Sequence, residues 1–375
     1  MPWARLSIIP DSNYIPKELP TILIKCKSKY RWDFMERFKS RNILFVIVIG
    51  AIIFTIFAKQ IGFEKFFSLV NNANKPLLLL AVFFNLLNMI TFTISWRCLI
   101  PAKISLYKLF KFFMAGTFIN NITPSFGTAG EPVKAMYLGK ETGTSKSECF
   151  AGIVSVRMLN MFPFLTIGMF GIWLLFSNPM IKLGFWEIVG LVFSIGLTLS
   201  IFFLIIYFYI RKDKLSSFVH SSIRFFAPFI GLVKKGFDHT AYLVAVDKSI
   251  NSFHGGLRNI KQDKKGLAKV LVLSYFGWVF DLMAIYMVFL SIDETHIHIS
   301  VLIISYTISM VSSWLPLFLP GGLGIVDTTM AILFIAGGVP AQTAILATLL
   351  YRLSSYWFNT ILGAYYFWAL LKKDS

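Results

Sequence analysis

The sequence has 375 residues, of which 56% are hydrophobic and 14% are charged, and its formal net charge is +18. Continuous apolar runs of about 20 residues recur along it, a length that crosses a hydrocarbon core of about 30 Å as a helix. This composition excludes an ordinary soluble globular protein, and the continuity of the runs excludes a barrel of alternating strands. We therefore predict an all-α polytopic membrane protein.

The first 41 residues are a basic N-terminal tail with nine Lys and Arg residues and no apolar core, unlike a signal peptide. The basic residues of the chain cluster beside the apolar runs. This placement favours anionic lipid headgroups as partners and argues against nucleic acid. Cys26, Cys98 and Cys149 have no metal-ligand spacing, so we expect no metal and no cofactor.

Nine apolar segments follow the tail, and a long basic connection divides them. In chain order they are 42–60, 77–99, 105–120, 149–176, 185–210, 268–291, 299–319, 325–338 and 341–371. The connection, 211–266, carries eleven basic residues. Its amphipathic part, 215–233, predicts either an interfacial helix lying on the membrane or a small soluble excursion.

The distribution of Lys and Arg sets the topology, because cytoplasmic loops carry an excess of both. The tail and the connection 211–266 are therefore expected in the cytoplasm, as is the C-terminus with Lys372 and Lys373. The remaining loops agree only if 105–140 and 299–338 each enter the membrane and return to the same face. We predict about six full spans plus two re-entrant or paired half-helix hairpins (about eight spans by hydropathy), in the cell membrane. A short external turn between two full spans is the alternative for the second hairpin.

Both hairpins have a tip that breaks the helix. The expected tip residues are Pro124, Gly127 and Gly130 in the first hairpin and Pro320, Gly321, Gly322 and Gly324 in the second. Non-helical backbone at membrane depth is tolerated where protein buries it or where it lines a water-filled cavity. We expect the tips to meet such a cavity.

Four anchors repeat along the chain at nearly one offset. Pro124 and Pro320, Glu131 and Asp327, and Asn85 and Asp281 are each 196 residues apart, and Arg157 and Arg352 are 195 apart. This regularity indicates an internal duplication within a transmembrane domain, 42–375, with halves at about 77–176 and 268–371. By the topology above the halves are inverted relative to each other, which is a recurring plan of transporters.

Charged side chains at membrane depth mark the candidate site. An Arg or Asp at a helix centre costs roughly 2.5–3.5 kcal/mol on insertion scales and normally faces a partner or a wet cavity. Two interpretations stay open: acid–arginine pairs that brace the hairpins, or arginines that bind an anionic headgroup. The candidate substrate-binding residues are Arg157, Arg352, Glu131, Asp327, Asn121, Tyr351 and Lys134.

Three motifs in combination resemble a known family. They are 121–132, with Gly130-Glu131-Pro132 at its end, 319–327, and Tyr351-Arg352. Together they resemble the transmembrane region of lysylphosphatidylglycerol synthases and the flippase-like UPF0104 membrane proteins. The resemblance covers roughly 42–371. Family members often have Glu where this sequence has Asp327, so the carboxylate is kept on a shorter side chain.

The resemblance implies movement of a phospholipid or a lipid-linked molecule between leaflets. In bifunctional members a separate cytoplasmic domain makes the aminoacylated lipid, and we expect that synthase domain to be absent, because the sequence ends at Ser375. The chain is therefore expected to be a transporter rather than an enzyme. A non-catalytic membrane subunit that holds a lipid- or glycan-modifying enzyme is the alternative, and a membrane-embedded transferase is a third. The oligomeric state is left open.

Overall fold

The computed structural model describes residues 62–100, 103–123, 128–177, 185–233, 239–313 and 320–374, together with short helical pieces between 47 and 59. The chain divides into two compact units, Met1–Val48 and Ile49–Ser375, and everything below concerns the second. The predicted tail, 1–41, and the predicted tip residues Pro124 and Gly127 lie outside the described residues.

The second unit is built from helices, and no strand occurs within the described ranges. The all-α prediction is thus confirmed. The helices are α1 (Phe63–Asn72), α2 (Lys75–Cys98), α3 (Leu106–Ile122), α4 (Gly130–Thr142), α5 (Lys146–Phe176), α6 (Phe185–Ile210), α7 (Lys212–Val233), α8 (His239–Gln262), α9 (Lys264–Ser291), α10 (Ile299–Ser312), α11 (Ile325–Ala336), α12 (Ala341–Arg352) and α13 (Phe358–Asp374). A short turn, Pro320–Gly322, precedes α11, and a π-helical turn, Leu353–Trp357, joins α12 to α13.

Three helices in the described part of the chain are long and apolar enough to cross a membrane: α2, α5 and α9. A bent pair, Ile195–Phe208 with Lys212–Ser222, is a fourth candidate. Several apolar helices therefore establish a polytopic chain. The predicted count of about six spans and two hairpins stays a prediction, because length and hydropathy alone do not decide how the shorter helices lie.

The centre of the fold is an antiparallel pair formed by α2 and α9. The backbone N–H of Asn74, the N-cap of α2, donates to the carbonyl of Ser291 at the end of α9, at 2.7 Å. Halfway along, the Asn88 amide donates to the Gly277 carbonyl at 2.8 Å. Both bonds require the two helices to run in opposite directions. The main apolar core lies beside this pair and is completed by α10, α11 and α12.

Close helix packing surrounds this pair where glycines face their neighbours. Gly363 of α13 lies against the Met114 carbonyl of α3, and Gly168 of α5 lies against Thr307 of α10. Small residues let helix backbones approach closely, and the approach supplies van der Waals contact where lipid offers no hydrophobic drive. The two contacts hold α3 to α13 and α5 to α10.

Candidate functional site

In the first predicted hairpin, α3 and α4 meet through an asparagine. Asn120, in the last turn of α3, accepts a hydrogen bond from the backbone N–H of Gly130 at 2.6 Å. Its side-chain amide donates to Glu131 Oε1 at 3.1 Å. A helix N-terminus leaves N–H groups without intrahelical partners and favours a nearby negative charge. Asn120 and Glu131 together therefore satisfy the start of α4.

Glycine at position 130 is required by the same contact. A Cβ atom built on Gly130 would come within 1.8 Å of the Gly116 carbonyl oxygen of α3. The two helix backbones touch at this point, so no larger residue fits without moving one of them. This close approach fixes the position of Glu131 relative to α3.

Glu131 collects three charged or polar donors on one oxygen. Besides Asn120, Arg157 of α5 pairs with Oε1 at 2.5 Å and Lys134 pairs with it at 3.2 Å. Lys134 is buried, and its ammonium lies 4.1 Å from the centre of the Phe113 ring. The carboxylate is therefore shared between two cations, and one of them, Arg157, reaches it from a different helix.

In the second predicted hairpin, glycines build the turn before α11. Gly321, Gly322 and Gly324 all have positive φ, at 57°, 67° and 84°. The N–H of Gly324, the N-cap of α11, donates to Asp327 Oδ2 at 2.7 Å. A carboxylate at the third helical position that reaches back to the N-cap N–H is one half of a capping box. The spacing of Gly324 and Asp327 thus follows from helix capping.

Arg352 completes the second acid–arginine pair. Its Nε donates to Asp327 Oδ1 at 2.8 Å, and a terminal nitrogen donates to the Gly321 carbonyl at 3.4 Å. The guanidinium carbon lies 4.4 Å from the centre of the Tyr356 ring. The arginine is therefore held by a carboxylate, a backbone carbonyl and an aromatic face, all within the second half of the chain.

A polar cavity of about 360 Å³ lies between the two half-sites. Both arginines reach it, and most of its other polar lining is neutral. The lining residues are Asn85, Met89, Thr117, Asn120, Asn121, Arg157, Asp281, Tyr306, Met310, Ser313, Gly321, Gly322, Val326, Tyr351, Arg352, Ser355, Tyr356 and Asn359. A protein with 56% hydrophobic residues thus encloses a pocket whose chemistry is that of water and anions.

Hydrogen bonds across the cavity join the two halves of the chain. Asn85 and Asn359 exchange two bonds, at 3.0 and 3.1 Å. The Asn121 amide donates to Thr360 at 2.8 Å, and the Tyr356 hydroxyl donates to the Asn121 carbonyl at 3.0 Å. These contacts fix α13 and the preceding π-helical turn against α2 and α3. The cavity wall is therefore shared by residues more than 230 positions apart in the sequence.

Asp281 of α9 is the acid that faces the cavity directly. The Tyr306 hydroxyl of α10 donates to its Oδ2 at 2.6 Å. Glu131 and Asp327 are not lining residues and instead contact the arginines that are. Sequence reasoning used Asp281 only as a repeat anchor.

The structure brings most of the candidate residues to one place. Arg157, Arg352, Asn121, Tyr351, Gly321 and Gly322 line the cavity. Lys134, Gly130, Pro320 and Gly324 do not line it, and their predicted role in cargo binding stays a prediction. Tyr306, Tyr356 and Asn359 were missed, since a single Tyr or Asn in an apolar helix has no distinctive sequence signal.

Comparison with known proteins agrees with this architecture. The family model described as "Lysylphosphatidylglycerol synthase TM region" matches residues 43–363. A UPF0104 membrane protein of Methanothermobacter thermautotrophicus is 27% identical over 326 residues, covering 85% of this chain and 92% of the relative. One of Methanocaldococcus jannaschii is 28% identical over 347 residues, covering 91% and 98%. One of Pyrococcus horikoshii is 26% identical over 333 residues, covering 85% and 94%. The chain is a multi-pass membrane protein that belongs to the lysylphosphatidylglycerol synthase transmembrane-region family.

Proposed function

We propose that this protein moves a lipid with an anionic headgroup between the two leaflets of the cell membrane. The observation that carries the proposal is the polar cavity, which both arginines line at the junction of the two halves. A volume of about 360 Å³ lies within the range of roughly 300–1,000 Å³ found for small-molecule sites. It is large enough for a headgroup, and the hydrocarbon chains would remain in the apolar surroundings.

Arginine suits this cargo because its planar guanidinium matches the oxygens of a phosphate in a bidentate way. In the resting arrangement a carboxylate occupies each guanidinium: Glu131 on Arg157 and Asp327 on Arg352. A phosphate that enters the cavity competes with the carboxylate for the arginine. Such an exchange lets the cation hold a charged headgroup and then release it to the opposite side.

The proposal includes the inverted repeat, and several contacts support it. Under an offset of 195 or 196, α3 corresponds to α10, α4 to α11, and α5 to α12 with α13. The contacts follow the same rule, since α3 packs on α13 as α10 packs on α5. The glycines of these two contacts, Gly168 and Gly363, are 195 residues apart, like the two arginines. Two similar half-structures with opposite orientation offer a direct route to alternating access.

The proposal also keeps the two re-entrant hairpins. At 1.5 Å per residue, α10, α11 and α12 extend about 21, 18 and 18 Å. None reaches the roughly 30 Å of a hydrocarbon core by itself. Short helices whose N-terminal turns meet a polar cavity are the arrangement found in transporters with discontinuous helices. Both termini and the connection 211–266 are then cytoplasmic, by the charge rule.

The experiment is a leaflet-exchange assay with the purified protein in vesicles of phosphatidylcholine and phosphatidylglycerol. Fluorescent phosphatidylglycerol in the outer leaflet is quenched by added dithionite, and the quenchable fraction is followed over time. We expect the protein to accelerate exchange and Arg157→Gln to reduce the rate at least tenfold. Lys108→Gln is the matched control, because Lys108 pairs with Glu141 at 2.6 Å and is not a lining residue. Equal rates with and without protein would contradict the proposal, and equal rates in both variants would contradict the assigned site.

A further inference from the structure

An apolar groove of about 570 Å³ lies outside the polar cavity. Its walls come from α4, α5, α7 and α8, with Phe208 of α6 at one edge. The lining residues are Pro132, Ala135, Lys146, Ser147, Phe150, Val154, Met158, Phe208, Leu215, Val219, Ser249, Ile250, Phe253 and Leu257. Nothing in the proposed exchange of headgroups uses this groove.

The groove follows one face of α5. Phe150, Val154 and Met158 are spaced by four residues, so they form a single stripe along the helix. Helix α8 closes the groove from the other side: the Phe253 ring centre lies 6.0 Å from that of Phe150. A Cβ on Gly256 of α8 would come within 3.0 Å of Ala151. The groove is thus a built channel between packed helices and not simply an outer surface of the protein.

The inner end of the groove adjoins the first acid–arginine pair. Arg157 lines the polar cavity and the next residue, Met158, lines the groove. On α4, Pro132 lines the groove directly after Glu131, which holds Arg157. A molecule that extends from the cavity into the groove would therefore pass the guanidinium of Arg157.

The dimensions and charges of the groove match a lipid chain. From Lys146 to Met158 it runs 12 residues along α5, which is about 18 Å. One leaflet contributes about half of a hydrocarbon core of roughly 30 Å. The lining is almost wholly apolar between Ser147 and Met158, and a cation stands at each end, Lys146 and Arg157. A hydrocarbon chain between two positive charges is the shape of an anionic phospholipid.

We propose that this groove holds one hydrocarbon chain of the anionic phospholipid whose phosphate lies at Arg157. The proposal rests on the proposed lipid translocation and adds the path of the chain. It also gives a role to α7 and α8, which lie in the connection between the proposed halves. These helices cover the chain while the headgroup crosses the polar cavity.

The test is photo-crosslinking in vesicles with phosphatidylglycerol that carries a diazirine on one acyl chain, followed by peptide mass spectrometry. We expect adducts on Phe150, Val154, Met158 or Phe253, and at least a fivefold reduction by excess unlabelled phosphatidylglycerol but not by phosphatidylcholine. Adducts spread equally over bilayer-facing residues such as Phe170 and Trp173, with no effect of either competitor, would overturn the proposal.

A filling variant gives a second, independent readout. Val154→Trp occupies the groove, and Val272→Trp, at an exposed position of α9, is the matched control. We expect Val154→Trp to reduce both the adducts and the exchange rate at least tenfold and Val272→Trp to change neither. Normal exchange in Val154→Trp would overturn the groove proposal and leave lipid translocation standing. Competed adducts in a wild-type protein that exchanges no lipid would overturn translocation and leave the groove as a lipid site. A Val154→Trp chain that fails to fold leaves the wild-type crosslinks as the deciding result.

Discussion

The two acid–arginine pairs occupy corresponding positions, yet their surroundings differ. In the second pair both side chains are almost fully buried, 8% exposed for Arg352 and 4% for Asp327. In the first pair Glu131 is 5% exposed, but the Arg157 side chain is 46% exposed. Glu131 also has Lys134 as a second cation, whereas Asp327 takes its other bond from the Gly324 N–H. One arginine is enclosed by its partners and the other is half open to the cavity.

This difference separates a structural role from a binding role. Removing one partner of a buried ion pair costs about 3–5 kcal/mol, because the other charge is left buried and unpaired. An exposed pair contributes only about 0–1 kcal/mol, so its arginine can change partners at little cost. We infer that Arg352 mainly holds the second hairpin together and that Arg157 is the arginine that meets the headgroup first.

The largest expected effect comes from Arg352→Ala. This change leaves Asp327 buried without its cation, and we expect the free energy of unfolding to fall by about 3–5 kcal/mol. The measurement is thermal unfolding of the purified protein in detergent, read by the fraction that stays monodisperse after heating. The double variant Asp327→Asn, Arg352→Gln removes both charges and should recover part of the loss. A single variant as stable as wild type would remove the proposed structural role.

Gly321→Ala tests the turn that supports the same arginine. Its φ of 57° is in the left-handed region, which costs other residues about 1–2 kcal/mol. A Cβ would also come within 2.3 Å of the Tyr356 ring, which packs on Arg352. We expect a loss of at least 2 kcal/mol by the same unfolding assay. Gly196→Ala, in α6 with open space around it, is the control and should not destabilise the protein. Equal stability of both variants would show that the turn does not depend on Gly321.

Tyr356→Phe makes a smaller change at the contact between the halves. It removes the hydroxyl that donates to the Asn121 carbonyl and keeps the ring beneath Arg352. A single neutral hydrogen bond contributes about 0.5–1.5 kcal/mol, so we expect a loss of that size in the unfolding free energy. Tyr365→Phe, on the exposed side of α13, is the control. A loss as large as that of Arg352→Ala would mean that the contact between the halves, and not the ion pair, holds the hairpin.

The smallest expected effect on stability is that of Arg157→Gln. Glu131 keeps Lys134 and Asn120 as partners, so we expect a change below about 1 kcal/mol. The same variant should lose at least nine-tenths of its lipid exchange, which separates binding from folding. Unfolding and exchange measured on one preparation decide the point. A variant that loses stability as Arg352→Ala does would make the two pairs equivalent and end the comparison.

Sequence reasoning located the ion pairs because charge inside an apolar helix is costly and therefore rare. Glu131, Arg157, Asp327 and Arg352 stood out for that reason, and the structure pairs them as one of the two open interpretations expected. Lys134 was assigned to the cavity, but its spacing of three residues from Glu131 also permits the pair on one helix face that the structure contains. Which cation is enclosed and which is open depends on packing between distant helices, which no local pattern records.

The neutral part of the site was beyond prediction for the same physical reason. Asn359 and Tyr306 lie in apolar helices, where a polar residue more often serves helix packing. Their roles depend on Asn85 and Asp281, which lie far from them in sequence or on another helix. The helix bounds were closer, with 77–99 expected against Lys75–Cys98 observed. The segment 341–371 was expected to be continuous, but the structure breaks its α-helical pattern at Leu353–Trp357.

That π-helical turn makes the second half sensitive to chain length. A π turn accommodates one residue more than an α-helical turn. Deleting a single residue within Leu353–Trp357 would let the helix continue regularly and would rotate everything after it by about 100°. Asn359 and Thr360 would then face away from Asn85 and Asn121, although no side chain in the cavity had been replaced. The spacing between Arg352 and Asn359 is therefore as much a determinant of the cavity as the identity of either residue.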